Sequence, residues 1–224
     1  MTTPTRLIML PGLAADAELF APLRPLLPEI ETPEWIPPRR GESLEAYAER
    51  FASSIDMTPP FAVGGFSFGG QVAMEMVTHL DPAPVAVVLL CGVRSREQFT
   101  NAFAVQEMLG RWLPNVLHRA AYGPFARQFA RQERLDEAQT QLLVEMAKRN
   151  DPSFLKWSAQ ACARWRATPD VPSDIPIAHA HGEFDHVIPD VLGQATHTVE
   201  GARHLITLTH AEELAEWIRE VLAR

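Results

Sequence analysis

The sequence predicts an α/β protein: a mostly parallel sheet of about six strands with helices on both faces, and an all-helical insertion after the strand ending near Leu90. Three observations carry this. Short β-rich runs alternate with amphipathic stretches of helical period, the pattern of strands joined by crossover helices. The run at 85–90 is apolar throughout, as expected of a strand covered on both faces. Residues 94–150 hold several helical patterns and no convincing strand. At 224 residues the chain has room for one domain with a substantial insertion. The expected division is a core of residues 1–93 and 151–224 and a helical lid, or cap, of residues 94–150.

Residues 6–10 read as the first strand, closed by Pro11-Gly12. A helix is expected over 17–27, and the Pro-rich stretch 28–38 holds at most one short strand, around Trp35 and Ile36. Ser43 can cap a helix running to about Ile55 through Leu44, Tyr47, Ala48 and Phe51, stopped by Pro59-Pro60. Residues 61–66 form the next strand. Residues 69–80 form a helix whose Val72, Ala73, Met76, Val77 and Leu80 recur at three and four, and Asp81-Pro82 ends it. After the insertion, 151–166 reads as a core helix with Phe154, Trp157, Ala161 and Trp165 roughly on one side. Strands at 177–181 and 198–200 follow. The closing helix, 211–222, turns Leu214, Trp217, Ile218 and Val221 to the core.

Composition sets aside whole classes of function. At 46% hydrophobic and 21% charged, the chain is neither disordered nor filamentous. Twenty basic against 28 acidic residues give a net charge of −8, which opposes non-specific attraction to nucleic acid or an anionic bilayer. The longest apolar run, 85–93, is far short of the roughly 20 residues of a membrane-spanning helix. The opening MTTPTRLIML reaches Pro11 after four apolar residues, fewer than the roughly 7 to 15 of a signal-peptide core, so a cytoplasmic protein is expected. Cys91 and Cys162 are too few for a disulfide framework and read as buried or half-buried thiols. The insertion carries 9 basic and 6 acidic residues and the remainder 11 and 22, so the lid is the basic part of an acidic protein. A solvated arginine-rich face accounts for this, as does attraction of an acidic substrate.

The sharpest motif is GGFSFGG, residues 64–70, which sets Gly65-Phe66-Ser67-Phe68-Gly69 at a strand-to-helix junction. A serine presented on so sharp a turn needs near side-chain-free neighbours two before and two after, and Gly65 and Gly69 meet that need. Serine is a poor nucleophile until a base takes its proton and a third group orients that base. Asp185, in HGEFDHVIP, leaves the carboxyl end of a predicted parallel strand, where sites in open α/β sheets are built. His204, in EGARHLITLTH, lies in the loop before the last helix. His210 rivals His204, and Asp190 and Glu183 rival Asp185. His179, His181, Asp185 and His186 also invite a metal reading, but the spacing departs from a known H-x-H-x-D-H pattern, and buried histidines beside the acid account for it better.

The GGFSFGG elbow, the G-x-x-D-x-x-I-P turn and the GARH loop, in the order Ser, Asp, His, resemble the α/β-hydrolase fold superfamily over nearly the whole chain outside the lid. The resemblance implies that Ser67, Asp185 and His204 are a catalytic triad. It implies an oxyanion hole of two backbone N–H groups, from Phe68 and, in the LPGLAAD loop, from Leu13, with Gly12 allowing the close turn. Family members commonly carry His-Gly where this chain has Pro11-Gly12. The sheet would begin on the third strand of the usual eight.

The reaction expected is hydrolysis of a small carboxylic ester or thioester through an acyl-enzyme, with no metal or organic cofactor. Acyl transfer, carbon-carbon bond hydrolysis or lyase chemistry on the same residues are alternatives, as are a non-catalytic ligand-binding protein and a metal-dependent hydrolase. The lid side chains Phe99, Phe103, Met108, Trp112, Tyr122, Phe125, Phe129 and Met146 read either as lid core or as the wall of an apolar pocket.

Overall fold

In a computed structural model describing residues 5–94, 115–165 and 170–223, strand β1 (Arg6–Leu10) occupies an inner position of the sheet. Its side chains alternate: Leu7 and Met9 join the core on one face, Ile8 and Leu10 that on the other. The sheet has six strands in the order β2-β1-β3-β4-β5-β6, with β2 at Ile30–Glu31, β3 at Phe61–Phe66, β4 at Val87–Leu90, β5 at Ile177–Gly182 and β6 at His197–Val199. Every pairing is parallel, in a register that sets Leu10 beside Gly65, Phe66 beside Leu90 and Leu90 beside Ala180. β3 and β4 are buried along their whole lengths, which is why they read as unbroken apolar runs.

Helices cover both faces. Against Ile8, Leu10, Val63, Val87 and Leu89 pack α1 (Leu44–Ala52), α2 (Phe68–Val77) and α5 (Pro152–Arg164). Against Leu7, Met9, Val88 and Leu90 pack α3 (Asn115–Gln132), α4 (Glu137–Arg149), the short α6 (Ile206–Thr209) and the closing α7 (Ala211–Leu222). α1 and α4 are capped at Ser43 and Asp136, the latter with a full capping box through Gln139. Among the described residues no helix is long and apolar enough to cross a membrane.

Several elements depart from the sequence reading. The helix expected over 17–27 is a single 3-10 turn at Ala17–Phe20 followed by turns, because Pro22 and Pro25 fall where a longer helix needs backbone donors. The short strand expected at Trp35 and Ile36 forms instead at Ile30–Glu31. Pro33, Pro37 and Pro38 withhold ladder donors around Trp35, and Leu7 and Ile8 select Ile30 and Glu31 as partners. Helix α5 ends at Arg164, and α6 intervenes between His204 and the closing helix. Of the insertion 94–150, the described part forms α3 and α4; Phe99, Phe103, Met108 and Trp112 lie outside the described residues. Tyr122 and Met146 are buried in the core shared with β1 and β4, whereas Phe125 is 60% exposed and stacks on Phe129.

Candidate active site

Five loops leave the carboxyl ends of β1, β3, β4, β5 and β6 on one edge of the sheet, where a parallel α/β sheet places its ligands. Ser67 stands between β3 and α2 with φ 53° and ψ −117°, a backbone conformation that costs about 1–3 kcal/mol and persists only where its surroundings impose it. They do. The Ser67 N–H donates to the Leu90 carbonyl at 2.9 Å. A Cβ on Gly65 would stand 2.3 Å from the Gly69 carbonyl carbon, and one on Gly69 2.1 Å from the Leu10 carbonyl oxygen. Both glycines are therefore required by contact. The Ser67 hydroxyl makes no capping hydrogen bond to the helix it heads.

The close approach of Gly69 to Leu10 and Pro11 also lays the loop bearing Leu13 beside the first turn of α2, which bears Phe68. The Phe68 ring packs against Trp35 at 5.9 Å and Trp157 at 6.3 Å between centroids. Trp35 thus belongs to an aromatic wall next to the elbow.

Asp185 and His204 are both buried and meet at 2.7 Å, between Oδ2 and Nδ1. A carboxylate only accepts, so His204 Nδ1 carries the proton and its Nε2 is left as a base. The imidazole sits 4.9 Å from the ring of Phe66, the residue before Ser67. Asp185 Oδ1 accepts from the Val187 and Ile188 N–H groups at 2.8 and 2.9 Å, and Oδ2 accepts a second imidazole, His181 Nε2, at 3.1 Å. Burial by itself would raise the Asp185 pKa. The charge of His204, the hydrogen bonds from both histidines and that from Ile188 outweigh it and hold the carboxyl well below the usual range.

His181 Nε2 also donates to the Ile188 carbonyl at 2.6 Å, and its Nδ1 lies 3.1 Å from His179 Nε2. For His181, burial lowers the pKa, but the bond to Asp185 and its charge more than reverse this. For His179, burial first, then His181 and Arg94, lower it to about 4.

Two further contacts were not readable from sequence. Buried Glu133, just past α3, accepts the Leu205 N–H at 2.9 Å, and Gln139 Nε2 donates to the Leu208 carbonyl at 2.7 Å, so the expected lid is tied to the loop that carries His204. Cys91, at φ 45° after β4, is fully buried, and burial pushes its thiol well above its ordinary value. Its Sγ, Asp185 and His204 form the candidate metal-ligand group among the described residues, with ligand atoms within 4.8 Å of one another. That set suits a metal poorly, since the thiol is held protonated and His204 Nδ1 is spent on Asp185. The four residues of the sequence-level metal reading do not converge: His186 is exposed, and the His181 nitrogens are engaged with His179, Ile188 and Asp185.

The rival candidates are engaged by residues near them in sequence. Asp190 accepts the Gln194 and Ala195 N–H groups, exposed Glu183 accepts that of Gly201, and His210 heads α7 with its Nδ1 on Thr209 Oγ1.

A model of the alpha/beta hydrolase family matches residues 7–217. No curated protein matches the chain in sequence. Among solved structures, a thermophilic esterase from Thermogutta terrifontis is similar at 18% identity and a TM-score of 0.78, with 100% of this chain and 91% of that one covered. The enol-lactonase from Burkholderia xenovorans is similar at 14% identity and a TM-score of 0.75, covering 100% and 93%. A structure reported for carboxylesterases of Nitrososphaera gargenis is similar at 10% identity and a TM-score of 0.75, covering 98% and 90%.

Proposed function

The chain belongs to the alpha/beta hydrolase family, and from that premise we propose that it is a serine hydrolase acting on a small carboxylic ester or thioester. Ser67 Oγ attacks the carbonyl carbon while His204 Nε2 takes its proton. Asp185 orients the imidazole and stabilises the cation that forms. The Phe68 and Leu13 N–H groups hold the oxyanion, Gly65 and Gly69 hold the elbow, and water then releases the acid from the acyl-enzyme. Residues 94–150 act as the lid. The esterase and lactonase names of the similar structures agree with this reaction class.

The observation that carries the reading is the pairing of a serine held at φ 53° with a buried imidazole–carboxylate pair seated against the preceding Phe66. Strain of that kind is maintained at functional sites. The test is intact mass after treatment with a fluorophosphonate. A single adduct on Ser67, absent from Ser67→Ala and His204→Ala, is the expected result. A folded wild type that takes no adduct would overturn the assignment.

A further inference from the structure

Helix α2 carries a second polar group that the proposed reaction does not use. Gln71 is 1% exposed, and among the described residues neither its Nε2 nor its Oε1 has a hydrogen-bond partner. A carboxamide has two donor hydrogens and two acceptor lone pairs, and native proteins rarely leave such a group buried and unmade. Helix geometry gives its direction. Gln71 follows Phe68 by three residues within α2, so the two share a face, and helical side chains lean back over the preceding turn. The amide is therefore aimed at the turn that carries Ser67 and the Phe68 N–H.

A second orphan stands against Phe68 itself. The Trp35 ring lies 5.9 Å from that of Phe68, and its indole Nε1 is buried with no partner among the described residues. Neighbouring ring donors are all spent inside the protein: Trp157 on the Glu42 carbonyl, Tyr47 on the Ile36 carbonyl and Trp165 on the buried Glu75 carboxyl. Two unmade polar groups thus border one residue of the elbow, within an aromatic wall that is otherwise satisfied.

We propose that Gln71 and Trp35 form a polar subsite for the acyl part of the substrate, and that the enzyme prefers acyl chains bearing an uncharged oxygen acceptor over purely hydrocarbon chains. This rests on the serine hydrolase reading of Ser67. Both groups are dipoles set in an aromatic wall, which suits a ketone, hydroxyl or carboxamide. A carboxylate would bring a charge whose desolvation two such dipoles offset poorly. A hydrocarbon chain would leave both groups unmade, the situation in which a site built for hydrogen bonding rejects the analogue that lacks the partner by large factors.

Methyl 4-oxopentanoate and methyl pentanoate differ by one carbonyl in place of a methylene, and their hydrolysis is followed in a pH-stat. The expected kcat/KM favours the oxo ester at least tenfold in wild type, and the ratio falls toward one in Gln71→Leu and in Trp35→Phe. A wild-type ratio near one, or a ratio that neither variant changes, overturns the subsite. Binding of the same two intact esters to Ser67→Ala, with and without Gln71→Leu, is read by ligand-observed NMR. If wild type turns over neither ester but Ser67→Ala binds the oxo ester preferentially and the double variant does not, the subsite stands and the hydrolase reading falls. Absence of any binding preference in Ser67→Ala overturns the subsite.

Discussion

The two polar groups of residues that flank Ser67 differ in how fully their hydrogen bonds are made. On one side, both oxygens of Asp185 are engaged by four donors: two backbone N–H groups and two imidazoles. On the other, the Gln71 carboxamide and the indole nitrogen of half-buried Trp35 are shut from solvent and make none among the described residues. In the proposed reaction, being shut from solvent has opposite meanings in the two places. A group that must stabilise charge during a reaction has to be oriented before the substrate arrives, and a closed network in a low dielectric achieves that. A group that recognises substrate has to keep its donors and acceptors for the substrate.

The deepest break in the saturated side is Asp185→Asn. An amide donates where the carboxylate accepted, so His204 loses its orientation, and turnover of methyl pentanoate should fall about 10⁴-fold in steady-state kinetics. Unchanged turnover would mean that the imidazole does not depend on this partner.

His179 probes the far end of the same network through pH. Its folded pKa of about 4 lies below the unfolded value of about 6.5, so the unfolded chain takes up the proton first. Stability is then full above about pH 6.5 and falls as the pH drops toward 4, by about 3 kcal/mol from this group. His179→Gln keeps an N–H for His181 Nδ1 and cannot titrate, so urea unfolding between pH 7 and 4 should show that slope in wild type and lose it in the variant.

His181→Leu removes one donor from Asp185 and should cost about 2 kcal/mol at neutral pH, with His181→Gln recovering most of it. The smallest expected effect lies on the unsaturated side. Gln71→Leu removes a buried orphan and should raise stability by about 1 kcal/mol in the same urea assay. A loss of stability there would mean that the amide is satisfied in solution, and the contrast between the two sides would fail.

Much of the frame was legible because it depends on neighbours in sequence. The strand at Phe61–Phe66 and the helix at Ala211–Leu222 fall where their periodicity places them. The fold class follows from the alternation that reveals them. Residues 17–27 have the apolar spacing of a helix, but Pro22 and Pro25 withhold the donors it needs, and only a 3-10 turn at Ala17–Phe20 forms. β2 was misplaced because a two-residue strand has no pattern of its own and exists only as the partner of Leu7 and Ile8. At the site, the GGFSFGG spacing sets a serine on a turn between strand and helix, and the structure adds why Gly69 carries no side chain: a Cβ there would stand 2.1 Å from the Leu10 carbonyl oxygen. The H-x-H pattern reads as buried histidines beside the acid, and the structure adds which nitrogen faces which acceptor, His181 Nε2 reaching Asp185 Oδ2 at 3.1 Å. In the sequence nothing marks Gln71 out, because whether a buried amide finds a partner depends on residues far from it along the chain.

What the sequence by itself determined, then, is local: which stretches are strands and helices, where a serine must sit on a turn, and which acid and histidine leave strand ends. These follow from the period of side-chain burial and from glycine and proline sterics, which act over a few residues. Only the tertiary structure decided that Asp185 meets His204 across 19 residues, that Glu133 ties α3 to the His204 loop across 72, and that Trp35 rests on Phe68. Those contacts depend on how two sheet faces and their helices close over one another, and no periodicity along the chain encodes which distant polar atoms are then left paired or unpaired.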